Sequence, residues 1–290
     1  MVKLVIGVAN FKQSYGIDNK KFLQKDNYQT FIKILIKNKI NTFDSSFEYK
    51  LDPEIAKKFN NKFNVITKIK LPNKNTIDFL NKIERNIILE LKKLNLKKFE
   101  SILFHNINDL KKKNFQIFLN KLKELQKKKL IKYIGVSIYK TSDLNIVFSK
   151  FKPDLIQFPL SFMNRSFLQK KIFKRLLKSK AKLQVRSIFL QGLMLKNYNQ
   201  LKKLNINKQL KIQLLKFIKF CSINDLSQLE ASVHFIKQFK DIDFITFGIN
   251  SNSQLITLLE EFNKKKKIPI GYKNYNDRYL DPRKWNYEKN

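Results

Sequence analysis

The sequence predicts a single-domain α/β fold, a (β/α)8 TIM barrel spanning residues 1–290. Three observations predict it. Short apolar runs alternate with amphipathic helical stretches along the chain, eight of each. Four of the strand-like runs end in a polar or reactive side chain: 41–44 in Asp44, 63–68 in Lys68, 100–105 in His105 and 132–137 in Ser137. The phenol of Tyr49 follows five residues after Asp44. Reactive groups at successive strand ends are what the C-terminal face of such a barrel presents. Finally, no linker is long enough to divide the 290 residues, and a chain of that length can bury one large core.

The elements follow in order. Residues 2–9 read as the first strand, followed by the loop 10–16; 27–37 is an amphipathic helix and 41–44 the second strand. Pro53 falls in the first turn of the second helix, where proline is tolerated. Strand three is 63–69, with Pro72 closing its loop. Ile77, Leu80, Ile83, Ile87 and Leu91 recur at helical spacing, so 75–94 is a helix capped by Asn75 or Thr76. Next come strand 101–105, a Lys-rich helix over 108–128, strand 133–137, helix 141–149, strand 154–158 ended by Pro159, and helix 166–177. Strand seven is 183–188. Two helices fill 209–240 around 222–227, then strand 244–247 and helix 253–262 complete the eightfold alternation. Residues 263–290 form a polar tail expected to pack on the barrel.

Composition excludes several classes. No apolar run approaches the roughly 18 residues of a membrane span. The N-terminus lacks a signal-peptide pattern, and Cys221 is the only cysteine, which suits a reducing cytoplasm. With Cys221, His105 and His234 scattered, no Cys/His metal site is readable. His234 lies in a helical pattern and reads as structural or partly exposed. The formal charge of +37 raises nucleic-acid binding. Yet only six of the 60 basic residues are Arg, and the lysines spread over every expected helix. Lys, Asn, Ile and Phe are inflated together, the mark of A/T-rich codon drift rather than of a specific nucleic-acid partner. Under that drift glycine is scarce: average usage near 7% predicts about 20, and the chain keeps six. Gly7, Gly16, Gly135, Gly192 and Gly248 lie in or beside strand ends, where a retained glycine points to positive φ or close backbone approach.

Read residue by residue, an Asp at a strand end is ordinarily a turn residue, a lone Tyr packing, a lone Lys a solvated face. Their order changes the reading. Asp44-Ser-Ser-Phe-Glu-Tyr49-Lys50 resembles the D-T-A-x-x-Y-G motif of the aldo/keto reductase family, with Lys68 and His105 at that family's strand-ending Lys and His. The matches run from Gly7 to about Phe262. Asn10-Phe-Lys-Gln-Ser-Tyr-Gly16 and Asp281-Pro-Arg-Lys-Trp285 resemble segments of a bacterial branch. The resemblance implies reduction of a small-molecule carbonyl, sugar-derived compounds included, by hydride from a nicotinamide cofactor. Tyr49 would donate the proton. A free phenol is a poor acid at neutral pH, and a buried ammonium favours its anion. Lys68 would supply that ammonium, Asp44 would hold Lys68, and His105 would orient the carbonyl.

Ser137 and Gln157 match positions that hold the nicotinamide carboxamide, with Ile138 where many members have Asn. Arg186, Ser187, Gln191 and Gly192 match the segment leading to the pyrophosphate, Arg186 standing where some members stack a Tyr. Gly248, Asn250, Ser251 and Gln254 resemble the adenosine-phosphate loop, with Gly248 and Gln254 in place of the Lys and Arg that grip a 2′-phosphate. NADP(H) is the default cofactor by resemblance and NAD(H) the alternative. Phe11, Phe47, Phe162 and Met163 are expected to line the substrate pocket. Three other readings compete: an inactive barrel acting as a nucleotide-sensing or interaction subunit, a nucleic-acid binder, and a glycoside hydrolase using Asp44 and Glu48. The substrate and the oligomeric state are not legible.

Overall fold

The computed structural model of this chain describes residues 2–11, 28–59, 62–74, 76–270 and 277–285. Expectations on residues 12–16, on the start of the first helix and on Asn75 as a cap fall outside them. The strands are β1 (Lys3–Gly7), β2 (Thr42–Asp44), β3 (Asn64–Ile69), β4 (Phe99–Phe104), β5 (Ile131–Ser137), β6 (Leu155–Pro159), β7 (Lys182–Arg186) and β8 (Phe244–Gly248). Each pairs in parallel with the next, and β8 closes on β1, so the eight form a barrel. Ten α-helices are described: α1 (Tyr28–Lys37), α2 (Pro53–Lys58), α3 (Thr76–Lys93), α4 (Phe115–Lys127), α5 (Asp143–Lys150), α6 (Lys170–Lys178), α7 (Tyr198–Lys203), α8 (Lys208–Ile223), α9 (Gln228–Lys237) and α10 (Asn252–Asn263). None is long and apolar enough to cross a membrane.

The strands carry two separate apolar surfaces. Outward residues such as Phe43, Phe104 and Phe158 pack under the helices in one extensive core. Inward, Val5, Ile66, Leu103, Leu155 and Phe244 form a smaller cluster that plugs the barrel. Two residues further along β3, β6 and β8 the inward positions become Lys68, Gln157 and Thr246, and β7 adds Gln184 to the same layer. The interior therefore changes from an apolar layer to a polar one towards the C-terminal face. Side chains alternate across a strand, so these positions share one face.

Four expectations need correction. The helix expected from 108 is two pieces: a 3₁₀ turn, Ile107–Lys111, precedes α4. Asp109 causes the break. Its buried carboxylate accepts from the Leu71 N–H at 3.0 Å and pairs with Lys112 at 2.6 Å, locking the turn to the loop after β3. The helix expected from 166 is likewise a 3₁₀ turn followed by α6. Strand β7 stops at Arg186, because Ser187 takes a left-handed φ of 61° that cannot continue a ladder. The short helix α7 and the 3₁₀ stretch Leu190–Leu195 before it were not expected.

Gly135 on β5 stands opposite Leu155 of β6. A Cβ there would stand 2.1 Å from the Leu155 carbonyl oxygen and 2.7 Å from Leu103 Cδ2, inside the apolar plug. Overpacking of this kind costs about 1–3 kcal/mol, or more when backbone must move. Gly135→Ala should therefore lower the unfolding free energy by about 1 kcal/mol or more, read as a lower urea-unfolding midpoint. An unchanged midpoint would contradict the close approach.

Candidate active site

The loop after β2 is built to hold Tyr49. Ser45 N–H donates to the Ile66 carbonyl at 2.8 Å and Phe47 N–H to the Lys68 carbonyl at 2.9 Å, so the chain stays alongside β3 beyond the strand end. The Ser46 hydroxyl then accepts from the Glu48 N–H at 3.1 Å, the Ser45 hydroxyl donates to the Tyr49 carbonyl at 3.1 Å, and the chain turns. Asp52 caps α2 and Pro53 starts it. Lys50, the departure from the family's Gly, pairs with Glu90 of α3 at 2.8 Å and so ties the loop to the helical layer.

At the centre of the polar layer, the Lys68 ammonium donates to the Asp44 carboxylate, to the Ser45 carbonyl at 3.1 Å and to the Tyr49 hydroxyl at 3.3 Å. Both charged side chains are nearly inaccessible, 4% for Lys68 and 7% for Asp44. The other Asp44 oxygen accepts from Gln157 Nε2 at 2.5 Å and Gln184 Nε2 at 2.9 Å. Burial pulls the Lys68 pKa down, but the Asp44 carboxylate, Tyr49 and their hydrogen bonds outweigh it, so the net shift is upward and the amine stays protonated.

His105 lies beside Tyr49, ring centroids 6.3 Å apart and edge-on. Burial, then the Lys68 charge, push its pKa from 6.5 down to about 4, against the opposing pull of Glu48. Glu48 Oε2 is 3.0 Å from His105 Nδ1, yet that nitrogen makes no aligned hydrogen bond. Glu48 is instead engaged by Lys70 at 2.7 Å. The imidazole is neutral at neutral pH.

These groups open into a cavity of about 450 Å³. Asp44, Tyr49, Lys68 and His105 line it together with Ser137, Arg186, Ser187, Gln191, Gly192, Gly248, Asn250 and Gln254. The β7 loop reaches it through a run of left-handed residues, Leu190, Gln191 and Gly192, with φ of 47°, 55° and 94°. Glycine at 192 meets that demand at no steric cost. On the β8 side the Gln254 side chain accepts from the Asn250 N–H at 2.9 Å, and Asn10 Nδ2 donates to Asn250 Oδ1 at 2.7 Å, joining the loops after β1 and β8.

Several expected residues lie elsewhere. Gln157 has no exposed surface; it accepts from the Ser137 hydroxyl at 2.8 Å and supports Asp44 from beneath. The Ser251 side chain caps α10 by accepting from the Gln254 N–H. Phe162 and Met163 are buried and are not among the described lining residues. Phe162 stacks among Phe217, Phe220 and Phe235, with the Arg165 guanidinium over its ring. Phe11 packs on Tyr28 and Phe31, and Phe47 on Phe99, both in the shell outside the cavity. His234 is fully buried, bonded to Glu261 at 2.6 Å. Gln184 was missed, since an inward glutamine in a strand carries no mark of its neighbour across the barrel. Tyr139, another lining residue, was missed as well.

The Aldo/keto reductase family model matches residues 3–271. The chain belongs to the aldo/keto reductase family. Its fold is similar to that of the glycerol dehydrogenase AKR11B4 from Gluconobacter oxydans, with TM-score 0.66 and 16% identity over 91% of this chain and 87% of that one. It is also similar to the apo form of the aldo-keto reductase AKR11C1 from Bacillus halodurans, with TM-score 0.65 and 12% identity over 87% and 89%. A third likeness is to MGS-M4, an aldo-keto reductase enzyme from a Medee basin deep-sea metagenome library, with TM-score 0.58 and 15% identity over 92% and 86%. None of the curated proteins matches the chain. Membership of this family marks the chain as an oxidoreductase barrel whose relatives act on small molecules with nicotinamide cofactors.

The environment of His105 has a measurable consequence. Below pH 6.5 the unfolded histidine takes a proton that the folded one refuses until about pH 4, so this group makes stability fall as pH falls through that window. The His105 Cε1–H resonance, assigned by its loss in His105→Gln, should titrate with a midpoint near pH 4. A midpoint near 6.5 would mean that burial and the neighbouring charges cancel, which contradicts the net lowering described.

Proposed function

We propose that this protein is an NAD(P)H-dependent carbonyl reductase in which Tyr49 is the proton donor. The observation that carries the reading is the Lys68 ammonium, held by Asp44 and 3.3 Å from the Tyr49 hydroxyl inside the cavity. The cavity lining would hold a nicotinamide dinucleotide, whose chemistry when bound would be delivery of a hydride to the carbonyl carbon. Tyr49 gives its proton to the carbonyl oxygen, and the Lys68 charge offsets the phenolate that remains. Asp44 keeps Lys68 aimed, with Gln157 and Gln184 fixing the carboxylate. His105, neutral at neutral pH and beside Tyr49, would in its Nε2–H tautomer donate to the same oxygen.

The residues fit a dinucleotide: the lining runs from this centre past the left-handed loop 190–192 to the N-terminus of α10. Ser137, Arg186, Ser187, Gln191 and Gly192 would hold its nicotinamide and pyrophosphate half, Gly248, Asn250 and Gln254 its adenosine half. NADP(H) is the family default. The uncharged Gly248, Asn250 and Gln254 favour NAD(H) as the second reading. The hydrolase reading loses its footing, because Asp44 is engaged by Lys68 and Glu48 by Lys70. The inactive-subunit reading has only the Lys50 departure in its favour, and Lys50 has a structural partner in Glu90. A cytoplasmic setting rests on the lone cysteine, Cys221, buried and with its pKa raised by burial to about 12.

Tyr49→Phe should keep nucleotide affinity within about twofold, measured by nicotinamide fluorescence, and lose turnover by roughly 10²–10⁴-fold. Turnover equal to wild type would rule out Tyr49 as the donor.

A further inference from the structure

We propose that Arg186 makes the cavity selective for redox state: the charge it sets beside the nicotinamide ring favours the reduced nucleotide over the oxidised one. This rests on the carbonyl-reductase reading and adds which state of the nucleotide the site retains. The placement follows from the barrel. Gln184 touches Asp44, and Arg186 is the next inward residue on β7, roughly 6.6 Å further along the strand. Its guanidinium donates to the Ile138 carbonyl at 3.0 Å, one residue past the end of β5, and Arg186 lines the cavity with Tyr49, His105 and Ser137. A ring that delivers hydride to a carbonyl at Tyr49 must lie in this layer, above the buried ion pair.

The guanidinium is oriented but not neutralised. It stacks on the Tyr139 ring at 3.9 Å and donates to two neutral acceptors, the Ile138 carbonyl and, at 3.3 Å, the Ser187 hydroxyl. Among the described residues no carboxylate forms an ion pair with it. Its neighbours are balanced. Lys68 is matched by Asp44. Arg283, which also stacks on Tyr139, at 3.5 Å, is held by both oxygens of Asp281, at 2.9 and 2.7 Å. Arg186 therefore leaves one uncompensated positive charge in the layer where the ring must lie. Hydride transfer to the carbonyl carbon, with the proton reaching oxygen from Tyr49, gives the nicotinamide ring a positive charge it did not have. A guanidinium accepts a neutral π-system beside it and repels a cationic one, most strongly where water is scarce. The phosphates carry the same charge in both states, so a guanidinium that only gripped them would favour neither.

The probes are NADPH with NADP+ and NADH with NAD+, titrated calorimetrically, without substrate, into wild type, Arg186→Lys, Arg186→Met and Lys196→Met. Wild type should bind the reduced member of its preferred pair about tenfold or more tighter than the oxidised member. Arg186→Met should cut that ratio about tenfold, and Arg186→Lys, which keeps the charge, should hold it within about threefold. Lys196 is another cation of the lining, and Lys196→Met should leave the ratio unchanged. A wild-type ratio near one would overturn the proposal. So would a ratio that survives Arg186→Met while both affinities fall together, which would give the guanidinium to the nucleotide's phosphates alone. A ratio that falls as far in Lys196→Met would trace it to the net charge of the cavity and overturn the assignment to Arg186. Binding needs no turnover, so the two readings separate. A ratio that depends on Arg186 supports the inference even if no carbonyl is reduced, and a flat ratio in an active reductase removes the inference alone. Binding of neither state would remove the nucleotide reading and this inference with it.

Discussion

The ion pair between Lys68 and Asp44 is the constraint on which the rest of the site depends. Taking both charges out of water costs several kcal/mol per ion, and their attraction recovers this only when every remaining donor and acceptor is satisfied. Satisfaction here comes from around the barrel. β2 supplies the carboxylate, β3 the ammonium, β6 and β7 the two glutamine amides, and the loop after β2 a carbonyl and the Tyr49 hydroxyl. The apolar plug beneath, with Leu103 and Leu155 at its middle, excludes water from below. Such a pair is weak as a source of stability, so its presence argues for chemistry at the layer above it.

The scaffold turns this centre into a site by fixing loops rather than by adding reactive groups. Hydrogen bonds to β3 carry the loop 45–49 past the strand end, and the Lys50–Glu90 pair anchors it from outside. Asp109 and Lys112 lock the β3 and β4 loops together, which steadies the strand end from which His105 projects. Asn10 ties the β1 loop to the β8 loop at the far end of the cavity. In each case a local side-chain bond fixes a strand end whose ladder has already set the direction.

Much of this was legible in the sequence, for identifiable reasons. Asp44, Lys68 and His105 end short apolar runs, and a charged residue closing such a run is visible without tertiary knowledge. Strand existence followed from the same alternation. The misses have physical causes as well. Phe162 and Met163 lie near a strand end, but an aromatic in a pocket and one under helices look alike in sequence; the Arg165 stack that draws Phe162 into the shell is tertiary. The helix break before α4 came from one aspartate serving another loop, against an unbroken helical pattern. Gln184 and Tyr139 acquire meaning only once the barrel closes and brings β7 to Asp44 and Arg186 to Tyr139.

The central claim is that the buried pair exists to serve Tyr49. The most direct test replaces both charges at once, Asp44→Asn with Lys68→Met, since removing a buried pair together is often near-neutral for stability, whereas breaking it costs about 3–5 kcal/mol. The account predicts a folded barrel that binds nicotinamide nucleotide with close to wild-type affinity and reduces carbonyls at least ~100-fold more slowly. A folded double variant that turns over at the wild-type rate would contradict it, and one that cannot fold would make the pair structural.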